Sequence, residues 1–151
     1  MQRFQILLAT LFFTGYTPVA PGSCGSLLAF ILVWFFVPQN FYLLGGIILL
    51  VFFVSLWSAT GAEKVFGKDN RKIVIDEGCG MLVSFLFLPK RFFLYILAFV
   101  IFRGLDIIKP PPARDCEKLE GGLGITLDDV VAGIYTNLIM QVLIILKVLK
   151  I

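Results

Sequence analysis

The sequence predicts an all-α fold: a compact helical membrane domain of five to six helices, some short or half-immersed, with polar loops converging on one face. Three observations predict it. Hydrophobic residues make up 59% of the 151 and charged residues 15%, against about 45–50% and about 25% in soluble domains; mean hydropathy is +0.96. Residues 4–62 contain no Asp, Glu, Lys or Arg, more uncharged chain than a soluble fold of this size can keep from water. Residues 41–60 form one apolar run, which as a helix reaches about 30 Å, enough to cross a bilayer. The length suits one domain over residues 1–151.

The elements follow in order. Residues 4–14 are a first apolar segment. Arg3 before it resembles the start of a short signal peptide, but no small-x-small cleavage site follows, so the segment is expected to be retained. Residues 15–26 read as a Gly/Pro/Ser loop, with a helix from Leu27 to Val37 that stops at Pro38-Gln39-Asn40. The run 41–60 comes next, then a polar loop from Gly61 to Lys72. Residues 73–88 are apolar except for Asp76 and Glu77. Residues 92–102 are apolar again but reach only about 16 Å, too short to cross alone. A polar stretch rich in Gly and Pro covers 103–126, and Asp128 and Asp129 open a last helix to Leu146. A short stretch such as 72–75 is β-like in composition but has no partner strand. Hairpins over 27–60 and 78–102 put their turns on one side, so loops 15–26, 61–77 and 103–129 converge on the other.

Composition also excludes functions. A net charge of +3 is too weak for nucleic-acid binding. The basic residues gather in loops (Lys64, Lys68, Arg71, Lys72, then Arg103, Lys109, Arg114, Lys118), as in cytoplasmic loops beside an anionic leaflet. Cys24, Cys79 and Cys116 form no CxxC pair, which argues against a disulfide framework or zinc site. With no histidine, phosphohistidine, imidazole-base and Ser-His-Asp chemistries are absent.

Four polar motifs remain. Residues 15–26, with Gly22, Ser23, Gly25 and Ser26, offer backbone and hydroxyl donors before a helix N-terminus. They read either as an anion cradle or as a turn with Ser26 as N-cap. Asp76-Glu77 enters an apolar helix, either as cation-binding acids at membrane depth or as acids favoured by the helix dipole; Asp69 lies on the same loop. Arg103, Asp106 and Lys109 share one helix face that ends at Pro110-Pro111-Pro112, offering two phosphate-binding cations and an orienting carboxylate, or an i,i+3 ion pair at a helix end. Asp128-Asp129 follows a Gly-rich run. The pair can share a hard cation, while Thr126-x-x-Asp129 also fits a capping box. Together the four supply what phosphoryl transfer needs: acids for a metal, cations for the phosphate and a donor-rich loop. No Cys-x5-Arg or Asp-x-Asp-x-Thr/Val segment is present for the cysteine or haloacid-type phosphatases.

These motifs, in residues 15–26, 69–80, 102–112 and 121–135, resemble those of the phosphatidylglycerophosphatase A family in the family's order. Asn70, Cys79 and Thr126 depart from its usual residues without touching an acid or a cation. The resemblance implies an α-helical enzyme of the bacterial inner (cytoplasmic) membrane with its site facing the cytoplasm and its substrate's acyl chains in the membrane lipid. It implies Mg²⁺-dependent hydrolysis of the terminal phosphate of phosphatidylglycerophosphate to phosphatidylglycerol and inorganic phosphate. The candidate catalytic and metal-holding acids are then Asp76, Glu77, Asp128 and Asp129, with Asp69 a further metal candidate. Arg103 and Lys109 clamp phosphate, and Asp106 orients them or joins the metal site. Ser23, Ser26 and the backbone of Gly22 and Gly25 donate to phosphate oxygens. The attacking group is either a metal-bound water or an aspartate that forms a phospho-enzyme. The alternative class is a small transporter using intramembrane acids and cations without chemistry.

Overall fold

The computed structural model describes residues 1–68, 70–146 and 148. The described residues form seven α-helices, one short 3₁₀ turn and no strand. The helices are α1 Gln2–Ala9, α2 Pro21–Phe36, α3 Phe41–Phe66, α4 Ile75–Ser84, α5 Phe92–Ile108, α6 Ala113–Cys116 and α7 Gly121–Ile145. Among the described residues, only α3 and α7 are long and apolar enough to cross a bilayer.

Short α4 sits in the middle, packed against α7, α2, α3 and α5. Eight of its ten residues are buried, Asp76 among them. At about 15 Å α4 does not cross a membrane, and its acids are surrounded by protein rather than by lipid. One core cluster joins Phe30 and Val33 of α2, Met81 and Leu82 of α4, Leu94, Tyr95, Ala98 and Phe102 of α5 and Met140 of α7. Within it the rings of Phe85 and Tyr95 stack with centroids 4.1 Å apart. A second cluster under α1 joins Ala9, Ala59, Ala62, Ile73 and Ile75.

The two hairpin tips meet at the end away from the acids. Asn40 caps α3, its side-chain oxygen accepting from the backbone N–H groups of Tyr42 and Leu43, as the turn signal there suggests. Lys90 Nζ donates to the Val37 carbonyl at 2.6 Å and lies over the Trp34 ring. A lysine at this tip is therefore held by protein.

Several boundaries differ from the sequence reading: α2, α3, α5 and α7 extend further towards the site, while α1 and α4 are shorter than the apolar segments 4–14 and 73–88. α2 starts at Pro21 rather than Leu27, so Gly22, Ser23, Gly25 and Ser26 belong to its first turns and Ser26 is not an N-cap. Pro at the first helical position leaves no N–H to satisfy. α7 starts at Gly121, and Thr126 bonds the Ser55 hydroxyl on α3 at 2.7 Å instead of closing a capping box. α3 continues to Phe66, and α5 to Ile108, about 26 Å in all. The glycines that suggested loops are contact points. A side chain at Gly122 would strike the Leu56 carbonyl of α3, and one at Gly124 the Leu119 carbonyl. Membrane helices use small residues in this way to bring backbones together.

Candidate active site

Four helix ends meet on one face. α4 brings Asp76 and Glu77 on its first turn, where the helix dipole favours acids. α7 brings Asp128 and Asp129 about two turns from its start. α5 brings Arg103 and Asp106 on its last turns and Lys109 at its left-handed C-cap. α2 brings its N-terminus, whose first N–H groups have no partner within the helix.

Carboxylate oxygens of Asp76, Glu77 and Asp129 lie within 4.8 Å of one another. Asp76 Oδ1 and Glu77 Oε2 are buried with no hydrogen-bond partner. Bare carboxylate oxygens in a protein interior are costly. Burial, then the neighbouring charge of Glu77, holds the Asp76 carboxyl well above the usual carboxylate range. Burial likewise pushes Glu77 up to about 7, against the opposing pull of Asp76 and Arg103. Three hard carboxylate donors, two of them with an unpaired oxygen, suit a divalent cation such as Mg²⁺, so the residues present fit the metal.

Backbone contacts set this spacing. Gly80, one turn beyond Asp76, lies against the Asp129 carbonyl, and Gly133, one turn beyond Asp129, lies against the Gly80 carbonyl. A Cβ at either would force α4 and α7 apart. Gly22 does the same for α2: a side chain there would occupy the place of Glu77 Oε1 and crowd Arg103 Nη2.

Arg103 Nη1 pairs with Asp106 at 2.6 Å and donates to Ser26 Oγ at 3.4 Å, while its Nε is buried without a partner. Ser26 Oγ itself donates to the Gly22 carbonyl at 3.0 Å. Asp106 also lies against Asp129, which places it between the cation and the acids. Ser23 is partly exposed on the first turn of α2. Gly25 lies deeper, where helix geometry commits its N–H to the Pro21 carbonyl and its Cα faces Val74.

Asp128 is not one of the three clustered acids. Its Oδ2 accepts from Lys109 Nζ at 2.8 Å, and Lys109 also reaches Glu117 at 2.6 Å. Burial alone would lower the Lys109 pKa, but its bonds to Asp128 and Glu117 outweigh this and raise it, so Lys109 stays charged. Asp128 Oδ1 is buried and unpaired, beside a cavity of about 420 Å³ lined also by Glu63, Lys68 and Glu117. Asp69 lies outside the described residues.

Sequence reasoning missed Glu117, which looked like one more charge in a polar loop. It gave no role to Tyr135, whose hydroxyl donates to the Pro111 carbonyl at 2.7 Å and ties the proline run to α7. It also missed Asn137, whose amide donates to the Val83, Ser84 and Leu86 carbonyls at the end of α4. Cys79 is no nucleophile: burial pushes its thiol up to about 12.

The profile of the phosphatidylglycerophosphatase A family matches residues 7–144, nearly the whole chain. The chain belongs to this family. Phosphatidylglycerophosphatase A of Escherichia coli K12 is 38% identical over 134 residues, 85% of this chain and 76% of that protein. The Haemophilus influenzae protein of the same name is 38% identical over 143 residues, 89% of this chain and 85% of its own. A provisionally named phosphatidylinositol-3-phosphatase of Bacteroides thetaiotaomicron is 35% identical over 145 residues, 91% of both chains. No solved structure matches. As a member of the phosphatidylglycerophosphatase A family the chain is a phosphatase, and its apolar helices mark it as a membrane protein. The transporter alternative gives way to an enzyme.

Proposed function

We propose that this phosphatase removes the terminal phosphate of phosphatidylglycerophosphate, in a Mg²⁺-dependent reaction at the cytoplasmic face of a bacterial inner membrane. One observation carries the reading: the clustered oxygens of Asp76, Glu77 and Asp129, two of those residues having an oxygen left unpaired, beside the N-terminus of α2 and Arg103. Asp76, Glu77 and Asp129 would hold the metal, whose charge would offset that of the phosphate. Asp128 and Asp69 remain further candidates for holding it.

The residues divide the work. The N–H groups at the α2 N-terminus and the Ser23 hydroxyl donate to the phosphate oxygens. Arg103, fixed by Asp106 and Ser26, presents its guanidinium to a second phosphate edge. Lys109 is poised beside the site with its charge fixed. In the hydrolysis, an oxygen of water forms the new bond to phosphorus, directly or after transfer to an aspartate. The bond to the glycerol oxygen breaks, and a proton returns to that oxygen. A carboxyl with a pKa near neutrality, as at Glu77, is suited to carry a proton.

The test is phosphate release from phosphatidylglycerophosphate by the detergent-purified protein, with Mg²⁺ and then with EDTA. Release that EDTA abolishes supports the reading; no release from folded protein overturns it. The Bacteroides relative supports a second substrate, phosphatidylinositol 3-phosphate. Direct competition between the two lipids, read as the ratio of kcat/KM, ranks them.

A further inference from the structure

The cavity beside Asp128 is lined by Glu63 near the end of α3, by Lys68 and by Glu117, alongside Leu119 and Ile125. We infer that this cavity receives the hydroxyl-bearing headgroup segment of the lipid, the stretch between its phosphodiester and the phosphate that is removed, and that Glu63 and Glu117 select for that hydroxyl. The inference rests on the phosphatase reading and adds to it what the enzyme recognises besides the phosphate.

The chemistry of the wall argues for this occupant. Lys109 Nζ bonds both Glu117 and Asp128, so the cavity shares two residues with the phosphate clamp. Asp128, its side chain 6% exposed, commits Oδ2 to that lysine and leaves Oδ1 buried with no donor. A buried acceptor left unpaired is costly. An O–H supplies the donor, since ionised carboxylates only accept. Three carboxylates disfavour a free anion, and Lys68 with Lys109 disfavours a cationic amine. The wall acids also fail to converge on a metal: among the described residues, only Asp76, Glu77 and Asp129 bring ligand oxygens within 4.8 Å of one another. An uncharged polyol fits, with its hydroxyls on the acids and its carbon side on Leu119 and Ile125. Glu63 faces the cavity with its carboxylate: a Cβ on Gly121, itself in the wall, would lie 3.9 Å from Glu63 Oε2. A groove that shares Glu63 and Lys68 with the cavity continues to Leu56 of α3 and Leu123 of α7, the helices long enough to cross a bilayer. The apolar part of the lipid thus has a route from the cavity to the membrane. Both lipids proposed above carry hydroxyls on the group that joins their two phosphates.

The experiment is isothermal titration in detergent micelles with Mg²⁺. The probes are two non-hydrolysable lipids: the phosphonate analogue of phosphatidylglycerophosphate, and the same molecule without its free headgroup hydroxyl. The unaltered protein is expected to bind the first about tenfold more tightly. Glu63→Gln and, separately, Glu117→Gln should bring the two affinities within about twofold. The ratio isolates the hydroxyl, because a weakened Lys109 lowers both affinities alike. Asp115→Asn, which loses an exposed pair with Lys118 outside the cavity, keeps the tenfold preference. Equal binding of the two lipids by the unaltered protein, or binding of neither, overturns the inference. So does a preference left unchanged by either glutamate substitution. A tenfold preference in a protein that releases no phosphate upholds the role of the cavity and removes the phosphatase reading instead.

Discussion

Lys109 is held between two carboxylates, and its removal would strand Asp128. The Asp128 side chain is 6% exposed and that of Lys109 26%, so the loss falls on a nearly buried anion. Lys109→Met is expected to cost on the order of 3 kcal/mol in unfolding free energy, and a further Asp128→Asn change should recover part of it. A double-mutant cycle on thermal or denaturant unfolding measures both. The clustered acids behave differently. Asp129→Asn or Asp76→Asn should keep the fold, because each removes a buried charge, yet lower kcat/KM by at least about a hundredfold, as lost metal-site contacts do. Phosphate release with circular dichroism as a folding control checks this. The raised pKa values of Asp76 and Glu77 also set a pH dependence. Acids raised on folding hold protons that the unfolded chain has already lost. Without metal, stability should therefore be greatest below the usual carboxylate range and fall as pH rises through about 7. Thermal unfolding in EDTA from about pH 5 to about pH 8 should show the fall, and saturating Mg²⁺ should reduce it.

At the scale of elements, the approach of α4 to α7 decides whether the acids meet. Gly80→Ala or Gly133→Ala would set a methyl group against a backbone carbonyl of the facing helix. Overpacking of this kind costs about 1–3 kcal/mol. The separation it forces should also cut activity by tenfold or more, read as kcat/KM beside Tm. These glycines show how far the sequence was legible. Asp76, Glu77, Arg103, Asp106, Asp128 and Asp129 were readable because charge is rare in so apolar a chain and each exception stands out. The helix starts at Pro21 and Gly121 were not, because Gly, Pro and Ser look the same in a turn and in a tight helix crossing. Local residue preference cannot separate these cases; the facing carbonyls of Val74, Leu56 and Leu119 do. The pairing of Lys109 with Glu117 was hidden for a similar reason: only the left-handed turn at Lys109 folds the chain back to bring them together.

Across the whole molecule, polar helix ends gather on one face and the hairpin tips at Asn40 and Lys90 on the other. Two of the three cysteines, Cys24 and Cys116, are partly exposed on elements at the site face, whereas Cys79 is buried. The native thiols thus report orientation without engineering. A membrane-impermeant maleimide should label inverted inner-membrane vesicles and spare intact spheroplasts if the site faces the cytoplasm; the reverse pattern would invert the proposed topology. The assembly of the cluster from separate helices has one more consequence, drawn from Gly22. Its missing side chain is the space that Glu77 occupies. A saturation library screened for growth would therefore score position 22 as intolerant as position 77, although glycine has no chemistry to lose. In such a map, part of the reactive centre would consist of residues whose whole contribution is emptiness.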